Sequence, residues 1–377
     1  MIPYNRQSIS EEDIESVSKT LRSDFLTQGP RVTEFEESLV KYTGAKYCTA
    51  VSSGTAALHL AYLALNISEG DIVWGPAISF VASTNAALYC NADVEFIDID
   101  IQTGCMSYEK LNERLIGSKK HELPKAIVIV DYAGHCGDLE KIKSLSIQYD
   151  FKIIEDACHA LGSEYKGHKV GSCQFSDITI FSFHPIKSIT TGEGGAVLTN
   201  NKGLHRQVIL LRSHGIIKDE EFEFPWMYEQ ELLGFNYRIT DVQSSLGISQ
   251  LKKLNEFVCK RNTLVDMYKS KLIGDLTIIE NNDCYSSRHL FSILLNESVD
   301  HLKMKEIFLR FRSEGIAVQK HYIPIYKQPY YVELYGELSL PDTEDFYRRQ
   351  ISLPLYSDMT EHEVDKIVHV MNEITGV

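Results

Sequence analysis

The sequence predicts an α/β fold with a smaller α+β unit following it, on three observations. Short apolar runs rich in β-branched residues alternate with stretches of helical period. The chain has 377 residues, enough for two domains, and its 44% hydrophobic and 24% charged content is ordinary globular composition. After about residue 250 the order changes to strands and helices without regular alternation.

Taken in order, VSSGT at 51–55 leads into the helical AALHLAYLAL, and DIVWG, FVASTNAALYC, VEFIDID, KAIVIVDY and FKIIEDA continue the alternation as far as residue 157. ITIFSF and GGAVLT read as two further short buried strands, and LHRQVILLRSHG as a helix closed by Gly215. The segment from Thr240 to Leu272 is helical by pattern. Beyond it, DLTIIE and HLFSILL read as strands, HLKMKEIFLRFRSEG as a helix ended by Gly315, and TEHEVDKIVHVMNEI as a final amphipathic helix. The expected division is a large α/β domain over 1–250 and a small α+β domain over 251–377.

Composition excludes several classes. A net charge of -14 repels phosphate backbones, so nucleic acid is not the expected partner. No apolar stretch approaches about 18 residues and no basic start precedes an apolar run, so no membrane role is expected and the cytoplasm is the expected location. The eight cysteines, at 48, 90, 105, 136, 158, 173, 259 and 284, form no CxxC or zinc-like spacing. Reduced, mostly buried thiols and no metal site are expected.

Three segments carry chemistry. In SSGTAALHL at 52–60, small residues after a strand enter a helix directly, so Ser53, Gly54 and Thr55 present free N–H groups and a helix dipole to an anion. The same junction would serve as a plain N-cap. FKIIEDACHALG ends an apolar strand in Glu155 and Asp156, at the edge where open α/β sheets bind ligands; a carboxylate there either pairs with a protonated ring nitrogen or caps the strand. FSFHPIKSITTGEGG places Lys187 among Pro185, hydroxyl residues and glycines, where partial desolvation makes an amine nucleophilic. Phosphate turn, strand-end acid and lysine stand in one order, Asp156 and Lys187 about 31 positions apart, and the joint pattern is more specific than any part.

With these motifs the chain resembles the sugar aminotransferases of the DegT/DnrJ/EryC1/StrS group, within the fold-type I (aspartate aminotransferase-like) pyridoxal-phosphate enzymes. The likeness rests on SDFLTQGP at 23–30, SSGTAALHLA at 52–61, EDACHALGSEYKGHKVG at 155–171, FSFHPIKSITTGEGG at 181–195, LRSHG at 211–215 and GFNYRITDVQSSLG at 234–247. It implies that pyridoxal 5′-phosphate is the cofactor, cycling through pyridoxamine phosphate. Lys187 would be its Schiff-base lysine, Asp156 the partner of its ring nitrogen, Gly54, Thr55 and Ser182 its phosphate ligands, and Phe80 an aromatic against its ring. His159 would be a cofactor-side histidine, and a structural histidine is the alternative. Asn236 would reach the phosphate from a neighbouring subunit, giving a homodimer with shared active sites.

Within the group, MIPYNRQSISEEDI, SDFLTQGP and HYIPIYKQPYY at 321–331 imply amination of C4 of a UDP-linked 4-keto-6-deoxy-N-acetylhexosamine, with L-glutamate as donor. Tyr4, Phe25, Leu26, Thr27, Ser182, Asn236, Lys320, His321, Tyr322 and Ile323 would line that UDP-sugar site. YIPIYKQPYY is also a plausible packing segment. Arg238 is a candidate for the donor carboxylate or for a structural ion pair. Another nucleotide 4-keto sugar, a bacillosamine or legionaminic acid precursor, shares every cofactor motif. Sugar 3-dehydratases of this fold carry histidine where Lys187 stands, a silent regulator would not need lysine, aspartate and turn together, and no GxGxxG follows the first strand to suit a dehydrogenase.

Overall fold

The computed structural model describes residues 1–219, 222–296 and 298–376. In chain order its elements are α1 Glu11–Leu21, α2 Pro30–Thr43, β1 Tyr47–Val51, α3 Gly54–Ala64, β2 Ile72–Pro76, α4 Ala82–Leu88, β3 Asp93–Ile97, α5 Tyr108–Gly117, β4 Ala126–Val130, α6 Leu139–Tyr149 and β5 Lys152–Asp156. Then come β6 Glu164–Tyr165, β7 His168–Lys169, β8 Ile178–Ser182, β9 Gly195–Thr199, α7 Lys202–Arg212, β10 Ile216–Ile217, β11 Glu229–Gln230 and the long α8 Asp241–Lys271. The chain closes with β12 Leu276–Ile278, β13 Cys284–Tyr285, β14 Phe291–Leu295, α9 His301–Ser313, α10 Pro329–Tyr335, α11 Pro341–Arg349, β15 Gln350–Leu353 and α12 Glu361–Thr375.

A seven-stranded sheet in the order β1-β9-β8-β5-β4-β2-β3 organises the first part. The β2–β3, β2–β4, β4–β5 and β5–β8 pairs are parallel, and only β9 runs against its neighbours β1 and β8. Both faces are covered, so the central strands are apolar throughout: every residue of AIVIV in β4 is buried. Parallel strands share one carboxyl edge. β1, β2, β4, β5 and β8 therefore all deliver their following residues to the same rim.

Helix α3 follows from its sequence: GTAALHLAYLA is apolar nearly all round, and the helix is buried against the sheet beside β8 and β9. Ser53 caps it by accepting the Ala56 N–H. The 31-residue α8 starts on a capping box, Thr240 with Gln243, and its Asp241 carboxylate accepts the N–H groups of Gly29 at 2.7 Å and Arg31 at 2.9 Å, which ties the start of α2 to α8. Helix α7 ends at Arg212; Gly215, at φ +68°, returns its N–H to Leu210 O, as the helix-closing glycine in LLRSHG leads one to expect.

A second core surrounds the three-stranded sheet β12-β14-β15, where Phe291, Ile293, Ile351 and Phe311 meet Val364 and Ile367 of α12. Ile2 packs against this core and bridges Ile316, so the amino terminus joins the carboxyl-terminal unit although the sequence places it with the large one. Positions 250 and 251 fall inside α8, which runs unbroken from one unit into the other.

Candidate active site

The carboxyl edge of the large sheet opens into a cavity of about 790 Å³. Of the residues singled out in the sequence, Tyr4, Gly54, Thr55, Phe80, Asp156, His159, Ser182, Lys187, Lys320, His321, Tyr322 and Ile323 all line it. The other four do not. Thr27 makes a bridge with Thr240, Asn236 one with Ser213, and Phe25 and Leu26 are exposed side chains on the loop before α2. Arg238 bridges Val51 through its backbone, and neither ion-pairs with a described residue nor lines the cavity.

Each wall follows from its strand. Asp156 ends β5 in register with Val130 of β4 and Ile180 of β8. Its carboxylate is buried yet held: Ser83 Oγ donates to Oδ2 at 2.6 Å, and the Cys158 N–H donates to Oδ1 at 3.2 Å. Two donors fix the position of this buried carboxylate. Gly54 opens α3 where a Cβ would stand 2.9 Å from Ser182 Cβ, so only glycine lets the phosphate turn and β8 meet this closely. Gly195 does the same service behind the turn, since a Cβ there would lie 2.5 Å from Ser53 O.

Lys187 is in the opposite condition to Asp156. Its amine makes no hydrogen bond or ion pair with a described residue. Burial pushes its pKa down, and the Cys158 thiol and Asp156 carboxylate only partly oppose that. An amine of lowered pKa in a closed cavity is chemically available as a nucleophile or base.

Opposite it stand His159, His321 and Tyr322. The Ala133 N–H donates to His159 Nδ1 at 3.3 Å, which leaves the proton of the neutral ring on Nε2; Nε2 lies 3.1 Å from Tyr322 Oη and donates to it. The Tyr322 hydroxyl proton is therefore free to point elsewhere. Burial, with Lys187 and His321 nearby, holds His159 well below the usual histidine range, and burial with Lys187 takes His321 down to about 3. Both rings are neutral around the amine. His321 Nδ1 meets Ser352 Oγ at 2.8 Å, anchoring this loop to β15. The Lys320 side chain reaches the cavity wall, but its Nζ donates to the carbonyls of Tyr347 and Arg348 at the end of α11; burial and Arg348 push its pKa down to about 7.

Sequence reading missed Ser83, which holds Asp156, and Ser79, whose Oγ meets Ser83 Oγ at 2.8 Å. It also missed His184 and Glu193 on the cavity wall. Both of the latter flank Lys187 in HPIKSITTGEG, so proximity to the lysine was a usable signal; nothing local marks Ser83.

A half-buried amine with no hydrogen bond or ion pair to a described residue, a fixed carboxylate and a helix N-terminus on the carboxyl edge of a mostly parallel sheet form the arrangement of an α/β transferase. The chain belongs to the DegT/DnrJ/EryC1/StrS aminotransferase family, whose profile matches residues 7–372. It is 42% identical over 362 residues to the UDP-4-amino-4,6-dideoxy-N-acetyl-beta-L-altrosamine transaminase of Campylobacter jejuni, covering 95% of this chain and 93% of that protein. Among solved structures, that of Helicobacter pylori PseC, an aminotransferase involved in the biosynthesis of pseudoaminic acid, superposes with a TM-score of 0.92 at 34% identity, over 99% of this chain and 98% of the other. The PLP form of the sugar aminotransferase Spr1654 of Streptococcus pneumoniae gives 0.92 at 29% identity, over 100% and 98%. No helix among the described residues is long and apolar enough to cross a membrane, and no cluster of metal-ligating residues occurs among them.

Proposed function

We propose that this aminotransferase uses pyridoxal phosphate to move an amino group from L-glutamate to C4 of a UDP-linked 4-keto-6-deoxy-N-acetylhexosamine, the reaction named for its C. jejuni relative. The cavity suits the cofactor: the Lys187 amine has no competing partner among the described residues, and Gly54 leaves the α3 N-terminus open to a phosphate. When bound, the cofactor supplies an electrophilic carbonyl and a ring that accepts electrons. Lys187 would hold it and, once released, move a proton between the amine-bearing carbon of the substrate and the reacting carbon of the cofactor. Asp156, fixed by Ser83, would face the protonated ring nitrogen; Gly54, Thr55 and Ser182 would take the phosphate; Phe80, 58% exposed at the cavity mouth, would cover the ring. His159, neutral and held by Ala133 and Tyr322, would stand beside the cofactor without adding charge.

On this reading Tyr4 and the Lys320–Ile323 segment bind the UDP-sugar, while Phe25, Leu26, Thr27 and Asn236, outside the cavity of their own chain, complete the site of a second copy. The single observation carrying the reading is the likeness in both sequence and structure to relatives of one named activity, over nearly the whole chain. Incubation with UDP-4-keto-6-deoxy-N-acetylhexosamine epimers and glutamate should yield one 4-amino sugar. Turnover of another nucleotide keto sugar alone would move the assignment to a bacillosamine or legionaminic acid precursor.

A further inference from the structure

Outside the residues that line the cavity, two thiols lie in contact. Cys136 stands in the turn after β4 and Cys284 begins β13, 148 positions later, with their sulfur atoms 3.2 Å apart. The contact is framed by backbone. The Cys136 N–H donates to Cys284 Sγ at 3.3 Å, and Asn281 Nδ2 donates to Cys136 O at 2.6 Å, so the turn and the loop before β13 already hold a fixed register. A disulfide needs the sulfurs at about 2.05 Å, a closure of roughly 1 Å.

The two cysteines are not equivalent. Cys284 is half-buried and meets solvent, whereas Cys136 is fully buried behind it. The contact with the Cys136 thiol lowers the pKa of the Cys284 thiol, as do the Cys136 N–H and Arg288, with burial and Glu155 opposing; the Cys284 contact, burial, Asp131 and Glu155 all raise the Cys136 thiol. The accessible member is thus the better nucleophile, and the buried member is placed to resolve it.

We propose that Cys136 and Cys284 form an oxidisable dithiol that closes to a disulfide when the protein meets a peroxide. The Cys284 thiolate attacks one peroxide oxygen, the O–O bond breaks, and the leaving oxygen takes up a proton as water, giving a sulfenic acid. Cys136 sulfur then attacks Cys284 sulfur, the S–O bond breaks, and the second oxygen leaves as water with the Cys136 proton. Two thiols lose two electrons and peroxide is reduced to two waters. The bond would staple the loop between β12 and β14 to the turn at Ala133–Cys136, whose Ala133 N–H holds His159 and whose Gly134 carbonyl accepts Ser163 Oγ.

The test treats the full-length protein with hydrogen peroxide, blocks remaining thiols, and maps peptides by mass. The expected result is a peptide pair joining Cys136 and Cys284, lighter by two hydrogens and separated by dithiothreitol, together with a rise in Tm of about 5 °C. Cys284→Ser should lose the link and the rise; Cys259→Ser, at an exposed cysteine elsewhere, should keep both. Oxygenated Cys284 without a link, or a link through other cysteines, overturns the proposal. The peptide map of the unsubstituted protein decides this even where a variant fails to fold.

Discussion

The floor and the mouth of the cavity are built differently. The floor consists of strand ends and the turns after them: Asp156 is 5% exposed and gripped by two donors, Ser182 abuts Gly54, and Lys187 is half-buried in the turn after β8. The mouth consists of loops, with Phe80 58% and Ile323 45% exposed. Strand ends are fixed by ladders of hydrogen bonds on both sides, whereas loops take their positions from a few side-chain anchors such as His321 to Ser352. A floor fixed in this way suits chemistry shared by a family, and a mouth of loops suits the choice of sugar.

Substitutions should separate the two. Lys187→Ala should reduce turnover by on the order of 10³-fold or more with every substrate and abolish the visible absorbance of lysine-bound cofactor, while leaving the melting temperature of the cofactor-free protein near that of the parent. In the unsubstituted protein, cofactor uptake should accelerate with pH, because only the uncharged amine reacts. With the Lys187 pKa lowered by burial, the plateau should be reached below the ordinary lysine value of 10.5; a midpoint at or above it would contradict the enclosed amine.

Asp156→Asn keeps the volume and loses the charge, so a fall in kcat of roughly 10²-fold is expected with any keto sugar, read by single-turnover kinetics. A smaller effect should come from Tyr322→Phe, which removes the acceptor of the His159 Nε2 proton: about fivefold in kcat/KM, corresponding to roughly 1 kcal/mol for one hydrogen bond. If that variant also changes preference among keto-sugar epimers, Tyr322 belongs to the mouth as well as to the floor. If it changes neither quantity, the Tyr322–His159 contact has no part in the reaction.

Much of the floor was legible in the sequence. SSGT before an apolar helix, an acid closing an apolar strand and a lysine before TTGEGG are local patterns, each tied to the end of one strand. The mouth was less legible, because Tyr4 and the Lys320–Ile323 segment approach from opposite ends of the chain. Lys320 shows the limit of reading residue type alone: a cation in a candidate sugar segment proves to hold the last carbonyls of α11. Ser83 was invisible for the same reason, since it is one of two serines in ISFVAST until β2 and β5 lie in one sheet and its hydroxyl meets Asp156.

The sequence by itself determined the α/β class, the run of central strands from residue 51 and the three local patterns of the floor, because strand and helix periods and the residues that end them are local properties of the chain. Tertiary structure alone decided which side chains face one another. It left Lys187 without a hydrogen-bond or ion-pair partner among the described residues, set the tautomer of His159 through Ala133 and Tyr322, carried the amino terminus onto the carboxyl-terminal core, and brought Cys136 against Cys284. Hydrogen bonds and desolvation act between groups near in space, and spacing along the chain does not encode that nearness.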